Sequence, residues 1–235
     1  MRYLPSTTSR APNHPVPPQF ARGLLPRATT VLAVIARPGQ ESADLGALLY
    51  AFRRSGARLA VLSLTRGEAS PLNSTIERLE SRRLWELRVA SGLLGVTALA
   101  VADYPDGGLA RSPAHELTEL VGREIRRHAA DLVIIIDPVA DDSDEAVVAR
   151  AARAAAARAG VPTVARMALA TSSGRVINLG PEAPVARAVQ RSAAAAHSSQ
   201  AEALPGVEHR LNLLGDHETL RWLAPAASSE SSATG

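Results

Sequence analysis

Two polar loops hold the residues of this sequence that are best suited to chemistry. Residues 36–41 read ARPGQE, and residues 141–145 read DDSDE. Each loop follows an apolar run and precedes a helix-like run, and an α/β protein usually binds its ligand at such loops. The carboxylates of Asp142, Asp144 and Glu145 are therefore candidates for acid or base catalysis.

The same loops are poorly suited to holding a metal ion. Neither contains a histidine, and the chain has no cysteine. Zinc prefers imidazole, thiolate or carboxylate ligands, whereas the guanidinium of Arg37 only donates hydrogen bonds and would repel a cation. Gln40 is a weak ligand, and Glu145 alone does not make a site. The sequence therefore predicts no metal ion and no cofactor here, and we expect Arg37 and Gln40 to contact a ligand instead.

Composition favours a small-molecule role over nucleic-acid binding. The chain has 235 residues, of which 46% are hydrophobic and 21% are charged, as in ordinary globular proteins. Its pI of about 10.1 resembles that of nucleic-acid-binding proteins, but the formal net charge is only +3 and there is no lysine. Arg123, Arg126 and Arg127 illustrate how the arginines are spread along helix-like faces, which is typical of solvated surface. We therefore expect a small-molecule ligand and no nucleic acid.

The cysteine content and the pattern of apolar residues indicate the cellular compartment in which the protein is expected. The absence of cysteine excludes disulfides and suits a reducing compartment. No apolar stretch reaches membrane-spanning length without charges, and the N-terminus lacks the apolar segment of a secretion signal. We therefore expect a cytoplasmic protein without a membrane partner. The sequence does not determine the oligomeric state and is compatible with a homo-oligomer.

Three segments can be distinguished along the chain. Residues 1–27 are rich in proline among polar residues, which predicts a poorly ordered N-terminal arm. Residues 224–235 are rich in serine and alanine, which predicts a disordered tail. Residues 28–223 are expected to form a single domain.

Within this domain, strand-like and helix-like runs alternate. Continuous apolar runs between helices are typical of a parallel sheet that is covered by helices on both faces. The sequence therefore predicts an α/β domain with a Rossmann-like, doubly wound, mainly parallel sheet. The predicted strands are residues 31–35, 59–64, 97–102, 132–136, 163–170 and 175–179. The predicted helices are residues 43–55, 75–94, 115–128, 144–159, 183–198 and 209–223.

Strand order then brings the two polar loops together. In the doubly wound order, the first strand lies beside the fourth, and ligands bind at the carboxyl ends of these strands. Residues 36–41 and 137–145 should therefore face each other across one crevice. We predict an ion pair between Arg37 and either Asp142 or Glu145, because unpaired carboxylates in a crevice are costly. The alternative is that these side chains face water separately.

Five further side chains are candidates for ligand contact, each with a structural alternative. Arg83 and Glu86 lie three residues apart, so they could instead form a surface pair. Asp106 lies in a Pro-Asp-Gly-Gly turn, where aspartate commonly bonds its own backbone. Glu68 could cap the following helix or reach the crevice. His115 lies near the start of a helix at the expected crevice face.

A series of motifs resembles one family. The motifs are TRGE at 65–68, RxxExxxA at 83–90 leading into LLGV at 93–96, YPDGGL at 104–109, DP at 137–138 and HSSQ at 197–200. In this order the chain resembles the PIG-L/LmbE-like deacetylases, which are zinc hydrolases that remove acetyl groups from amino sugars and related conjugates. The resemblance covers roughly residues 30–200 and implies the Rossmann-like fold of that family.

The chain departs from the family pattern at the catalytic positions. The family reads His-Pro-Asp-Asp where residues 37–40 read RPGQ, and there the histidine and the second aspartate bind zinc while the first aspartate is the general base. The family reads His-x-Asp-His where residues 142–145 read DSDE, and the last histidine completes the metal site. The resemblance therefore implies a family fold that has lost its zinc-deacetylase site.

Three functions remain as alternatives. The first, which we expect, is a metal-free binding or accessory protein for a polar or sugar-like small molecule, with secondary metabolism as its setting. The second is an enzyme that uses Asp142, Asp144 or Glu145 as acid or base, with Arg37 stabilising anionic charge. The third is a zinc deacetylase that has recruited other ligands. Fold resemblance does not choose among them, because function belongs to the site.

Overall fold

The computed structural model describes residues 25–69, 79–139, 143–168 and 174–223, which build one seven-stranded sheet and seven α-helices. The strands are β1 (Thr30–Ile35), β2 (Arg58–Thr65), β3 (Ala98–Tyr104), β4 (Leu132–Ile136), β5 (Thr163–Arg166), β6 (Arg175–Asn178) and β7 (His217–Leu223). The helices are α1 (Gln40–Ala43), α2 (Gly46–Arg54), α3 (Leu79–Leu94), α4 (Ala114–His128), α5 (Asp144–Ala159), α6 (Ala183–Ala196) and α7 (Leu204–Leu214).

The sheet has the order β3-β2-β1-β4-β5-β7-β6. Strands β1 to β5 run parallel to one another, and β7 runs antiparallel between β5 and β6. Strand β1 pairs with both β2 and β4, so the order reverses at β1, and the loops after β1 and β4 start side by side. The predicted fold class, a doubly wound and mainly parallel sheet, is confirmed.

Apolar side chains enclose the sheet on both faces. All six residues of β1 are buried, because alternate side chains of the strand enter two different cores. Helices α4 and α5 cover one face, while α2, α3 and α6 cover the other. None of the described helices is both long and apolar enough to cross a bilayer.

The predicted elements agree with the structure except near the C-terminus. Strand β4 and helix α5 have the predicted bounds, and residues 43–55 are divided between α1 and α2. The prediction of a helix over residues 209–223 is wrong, because α7 ends at Leu214 and β7 begins at His217. Gly215 takes a φ of 54°, which ends the helix, and the following residues pair with β5 and β6. The predicted tail at 224–235 and all but residues 25–27 of the predicted arm lie outside the described residues.

A buried ion network joins β5, α6 and β7. Glu218 accepts hydrogen bonds from Arg166 Nε at 2.9 Å and from Arg187 Nη1 at 2.5 Å. All three side chains are almost completely buried. Buried charges require such partners, because their loss of hydration is otherwise uncompensated. The network therefore holds the antiparallel strand β7 in the sheet.

We predict that Glu218→Ala lowers the free energy of unfolding by about 3–5 kcal/mol, because it removes the carboxylate of Arg187 and leaves Arg166 with Asp44, whose Oδ1 lies 3.8 Å from Nη1. Urea denaturation at neutral pH measures the change. The matched control is Glu119→Ala, which removes an exposed partner of Arg158 and should change stability by less than about 1 kcal/mol. Equal and small losses in the two variants would contradict the assigned role of Glu218.

Candidate functional site

Three side chains meet at the carboxyl ends of β1 and β4. Glu145 Oε1 accepts hydrogen bonds from Arg37 Nη2 at 2.7 Å and from Gln40 Nε2 at 2.6 Å. Arg37 lies in the loop after β1, Gln40 is the first residue of α1, and Glu145 lies in the first turn of α5. We call Arg37, Gln40 and Glu145 the site triad. The predicted ion pair between Arg37 and Glu145 is present, whereas Asp142, its predicted alternative partner, lies outside the described residues.

The amide of Gln40 has a fixed orientation. Its Oε1 accepts from the backbone N–H groups of Ala36 at 2.9 Å and Arg37 at 3.3 Å. An amide oxygen that accepts from N–H groups directs its NH₂ group the other way, here toward Glu145. Behind the amide, the space lined by apolar residues of β1, β4 and α5 is too small for a water molecule. Gln40 therefore presents a donor to Glu145.

Glu145 is held in its ionised form. Burial by itself would raise the pKa of Glu145, but its own backbone N–H, the charge of Arg37, and hydrogen bonds with Gln40 and Ser143 lower this pKa below the usual range. Ser143 also caps α5, accepting from Ala146 N. Glu145 is consequently a carboxylate at neutral pH and does not act as a proton donor there.

Asp106 joins the triad from the loop after β3. Its Oδ1 lies 3.5 Å from Arg37 Nη1 and 3.5 Å from Thr65 Oγ1, and its Oδ2 accepts from Ala69 N at 3.1 Å. Glu68 Oε1 accepts from the Asp106 backbone N–H at 2.8 Å. The Asp106 turn is thus fixed by the loop after β2, and its carboxylate still reaches Arg37. Of the predicted ligand contacts, Arg37, Gln40, Glu68 and Asp106 lie together here.

Asp144 is engaged differently from its neighbour Glu145. Its Oδ2 accepts from Gly107 N at 2.7 Å, and its Oδ1 accepts from Leu109 N at 3.1 Å. Both carboxylate oxygens therefore anchor the loop after β3 to the start of α5, and Asp144 is buried. These contacts favour a structural role over the catalytic role that the sequence suggested for Asp144.

Arg83 and Glu86 do not form the surface pair that their spacing allowed. Both are buried, and Arg83 Nη1 donates to the carbonyl of Gly67. Glu86 accepts from Ser199 N at 2.9 Å, from Ser199 Oγ at 2.6 Å and from Ser198 Oγ at 2.8 Å. Burial lowers the pKa of Arg83, whereas the pKa of Glu86 is lowered because these bonds outweigh the opposing effect of its burial. Glu86 therefore fixes the segment after α6, and Arg83 fixes the loop after β2.

A buried pair behind the triad was missed by the sequence reasoning. His197 Nε2 lies 2.6 Å from Glu41 Oε1, and Glu41 Oε2 accepts from Gly39 N at 2.8 Å. Gln200 Nε2 donates to the carbonyl of Pro38 at 3.1 Å. The HSSQ motif at 197–200 was the signal that could have found this contact. These side chains set the conformation of the loop that carries Arg37 and Gln40.

Gly39 occupies a position that a larger residue could not share with Gln200. Its φ is 102°, and a Cβ added there would lie 2.8 Å from Gln200 Oε1. Glycine accepts this conformation without strain. The predicted ligand contact His115 lies exposed in the first turn of α4, and no described hydrogen bond joins it to the triad. Within the described ranges, no group of three or more His, Cys, Asp or Glu residues is arranged to hold a metal ion.

Comparison with known proteins identifies relatives. The model of the PIG-L family, described as GlcNAc-PI de-N-acetylase, matches residues 32–156, which is slightly more than half of the chain. A 1D-myo-inositol 2-acetamido-2-deoxy-alpha-D-glucopyranoside deacetylase of Catenulispora acidiphila is 29% identical over 147 residues. The match covers 57% of this chain and 44% of that protein, so the chain spans less than half the length of this relative.

Solved structures share the fold. A deacetylase from the biosynthesis pathway of teicoplanin superposes with a TM-score of 0.70 at 19% identity, over 86% of this chain and 100% of that chain. The 4-carboxy-2-hydroxymuconate hydratase of Pseudomonas putida KT2440 superposes with a TM-score of 0.59 at 14% identity, over 86% and 99% of the two chains. At these identities the likeness establishes the fold alone, and the two names describe different reactions.

We predict that Glu145→Gln destabilises the protein by about 1–3 kcal/mol at neutral pH, because it removes a carboxylate that accepts two hydrogen bonds. The folded-state pKa of Glu145 lies below its ordinary value of 4.5. Its contribution to stability is therefore present above that value and is lost as the pH falls through the folded-state pKa. Urea denaturation across this range should show the wild type and the variant converging in acid.

The control for this experiment is Glu119→Gln, which alters an exposed glutamate on α4. The free energy of unfolding of this variant should stay close to that of the wild type at every pH. If the loss of unfolding free energy in Glu145→Gln stayed the same in acid, this result would contradict the assignment of an ionised Glu145 to the triad.

Proposed function

The chain belongs to the PIG-L family, and from this premise we propose that it binds a small polar molecule without a metal ion and without deacetylating it. The observation that carries the proposal is the site triad. Its three side chains stand at the positions where the family pattern has the zinc ligands, and they bind one another. A guanidinium and an amide thus take up the electrostatic role of a metal ion beside Glu145.

The donor set of the triad does not fit zinc. The guanidinium of Arg37 has no lone pair to give, and the Gln40 amide turns its NH₂ group toward the site. One carboxylate remains, and its Oε1 already accepts two hydrogen bonds. Zinc sites use three or four N, O or S ligands that are free to coordinate. These contacts support a site that works without the metal of the family.

The residue at the position of the family's general base also supports a function without deacetylation. The family pattern has an aspartate where this chain has Gly39, which carries no group that can accept a proton. The side chain of Gln200 lies where the first side-chain atom of such a residue would be. Hydrolysis of an amide needs a base to activate water, and the effect of such a base is typically about 10²–10⁴-fold in rate.

The exposed part of the crevice is polar. The side chain of Arg37 is 40% exposed, whereas those of Glu145 and Asp106 are 18% and 5% exposed. A polar or sugar-like ligand would meet charged hydrogen-bonding groups here, which fix orientation in small-molecule sites. We therefore keep Arg37, Gln40, Glu68 and Asp106 as the proposed ligand contacts.

Two alternative functions each have one supporting observation. The ionised Glu145 favours an enzyme with new acid–base chemistry, and the hydratase with this fold is named for a reaction other than deacetylation. The name of the Catenulispora acidiphila relative favours a deacetylase. We rank both lower, because the oxygen of Glu145 that faces the triad is occupied by two donors.

We predict that the purified wild type carries far less than one zinc ion per chain and releases no acetate from N-acetylated amino sugars. The restored variant Arg37→His/Gln40→Asp/Glu145→His should bind about one zinc ion per chain, because three ligands from two loops then converge as in catalytic zinc sites. Plasma emission spectrometry after dialysis against zinc measures the metal, and acetate is measured enzymatically.

The matched control is Arg37→His/Glu145→His, which keeps Gln40 and should bind zinc more weakly than the triple variant. Stoichiometric zinc or acetate release in the wild type would overturn the proposed function. Absence of zinc from the triple variant, shown to be folded by circular dichroism, would mean that the triad does not stand at the metal position.

A further inference from the structure

We propose that the crevice is a receptor for an organic cation, a primary ammonium or guanidinium group, which replaces the guanidinium of Arg37. This inference rests on the proposed metal-independent function and names the chemical class of its ligand. It revises one of the proposed contacts, because the ligand takes the place of the Arg37 guanidinium. The juxtaposition behind it is the guanidinium of Arg37, whose side chain is 40% exposed, between the carboxylates of Glu145 and Asp106, whose side chains are 18% and 5% exposed. Arg37 Nη2 lies 2.7 Å from Glu145 Oε1, and Arg37 Nη1 lies 3.5 Å from Asp106 Oδ1. Arg37 is thus an internal ligand of this receptor.

The two carboxylates are held without help from Arg37. Glu145 is fixed by Gln40 Nε2 and by its place in the first turn of α5. Asp106 is fixed by Ala69 N and by Thr65 Oγ1. Removing the guanidinium therefore leaves both acceptors in position, which is the preorganisation that a binding site needs.

The loop that carries Arg37 is also fixed independently of its guanidinium. Glu41 accepts from Gly39 N, and Gln200 donates to the Pro38 carbonyl. The Arg37 side chain is 40% exposed, so it can move into solvent while its backbone stays in place. An incoming cation then meets the same two carboxylates without unfolding the loop.

An unused acceptor lies next to Asp106. Glu68 Oε2 is buried and has no hydrogen-bond partner among the described residues, while Glu68 Oε1 accepts from Asp106 N at 2.8 Å. A buried acceptor without a donor is unfavourable, so a ligand that brings several N–H groups gains a further bond here. Ammonium and guanidinium groups carry three and five N–H donors.

The charge balance selects a cation over an anion. Once the Arg37 side chain moves out, Glu145, Asp106 and Glu68 remain, and the charge of Arg83 interacts with Asp106 and Glu68. Arg83 is buried and donates to the Gly67 carbonyl. The vacated position then carries net negative charge, which attracts a monocation and repels a carboxylate or phosphate.

Competition with Arg37 sets the expected strength of binding. A tethered group has a high effective concentration, on the order of millimolar for flexible attachments. Small cations should therefore bind the wild type weakly and should bind a variant without the Arg37 guanidinium more strongly. The natural ligand needs additional contacts to displace Arg37.

The test is chemical rescue of Arg37→Ala. Thermal unfolding is followed with 0 to about 20 mM methylguanidinium or ethylammonium, with sodium chloride added to keep the ionic strength constant. We expect a saturable rise in melting temperature of about 2–4 °C at a concentration tenfold above the dissociation constant. The wild type should show a smaller rise. Arg37→Met serves as a second variant that keeps side-chain volume if the alanine variant folds poorly.

Two matched variants sharpen the result. Arg66→Ala removes another arginine that pairs with two carboxylates, but these carboxylates, of Glu80 and Asp103, are exposed. Added cation should therefore not raise the melting temperature of this variant. Arg37→Ala/Glu145→Gln should lose the rescue. The inference would be overturned if the cation raised the melting temperature equally in all variants. It would also be overturned if the cation raised it in neither Arg37→Ala nor Arg37→Met. Zinc content and acetate release are measured separately, so failure of rescue in zinc-free protein leaves the proposed function standing.

Discussion

The crevice depends on how the short helix α1 is held between the sheet and the C-terminal helices. The buried contact of His197 with Glu41 connects α6 to α1, and Glu41 in turn accepts from Gly39 N. At the other end of α1, Gln190 and Arg210 donate to its last carbonyl groups. A helix this short cannot be stable alone, because helix nucleation is unfavourable. Tertiary contacts therefore determine where the triad stands.

The triad also explains how the protein tolerates acids in a partly buried crevice. Burial opposes the ionised form of Glu145, and the charge of Arg37 helps to reverse that effect. Removing one partner of such a pair leaves a charge that burial penalises, so Arg37 favours the ionised form of Glu145 even though other contacts hold the two loops in place. The same logic applies between β5 and β7, where Glu218 is buried between Arg166 and Arg187. The fold thus balances its buried charges locally.

Much of the fold and part of the site could be predicted from the sequence. Strand β4 and helix α5 were predicted correctly because a continuous apolar run and a capped alanine-rich run are unambiguous. Residues 209–223 were assigned wrongly, since apolar residues near the end of a chain fit helix and strand alike. The pairing of Arg37 with a carboxylate of the second loop, either Asp142 or Glu145, followed from strand order and from the cost of unpaired carboxylates. The contact between His197 and Glu41, which lie 156 positions apart, does not follow from strand order, and the HSSQ motif was the signal that pointed to it.

The residues that keep the family motif and the residues that differ from it have different roles in this structure. This separation favours an altered crevice over a general loss of the fold. The motif residues Glu86, His197 and Gln200 hold loops together in this chain and do not contact the triad in any described hydrogen bond. The departures fall on positions such as Arg37 and Glu145, whose side chains meet at the carboxyl ends of β1 and β4. Random substitution would change the residues that hold the loops as well as those of the triad. It would also leave carboxylates of the crevice unpaired, which is costly. A matched cation and anion at facing positions instead indicate that the crevice itself is still constrained.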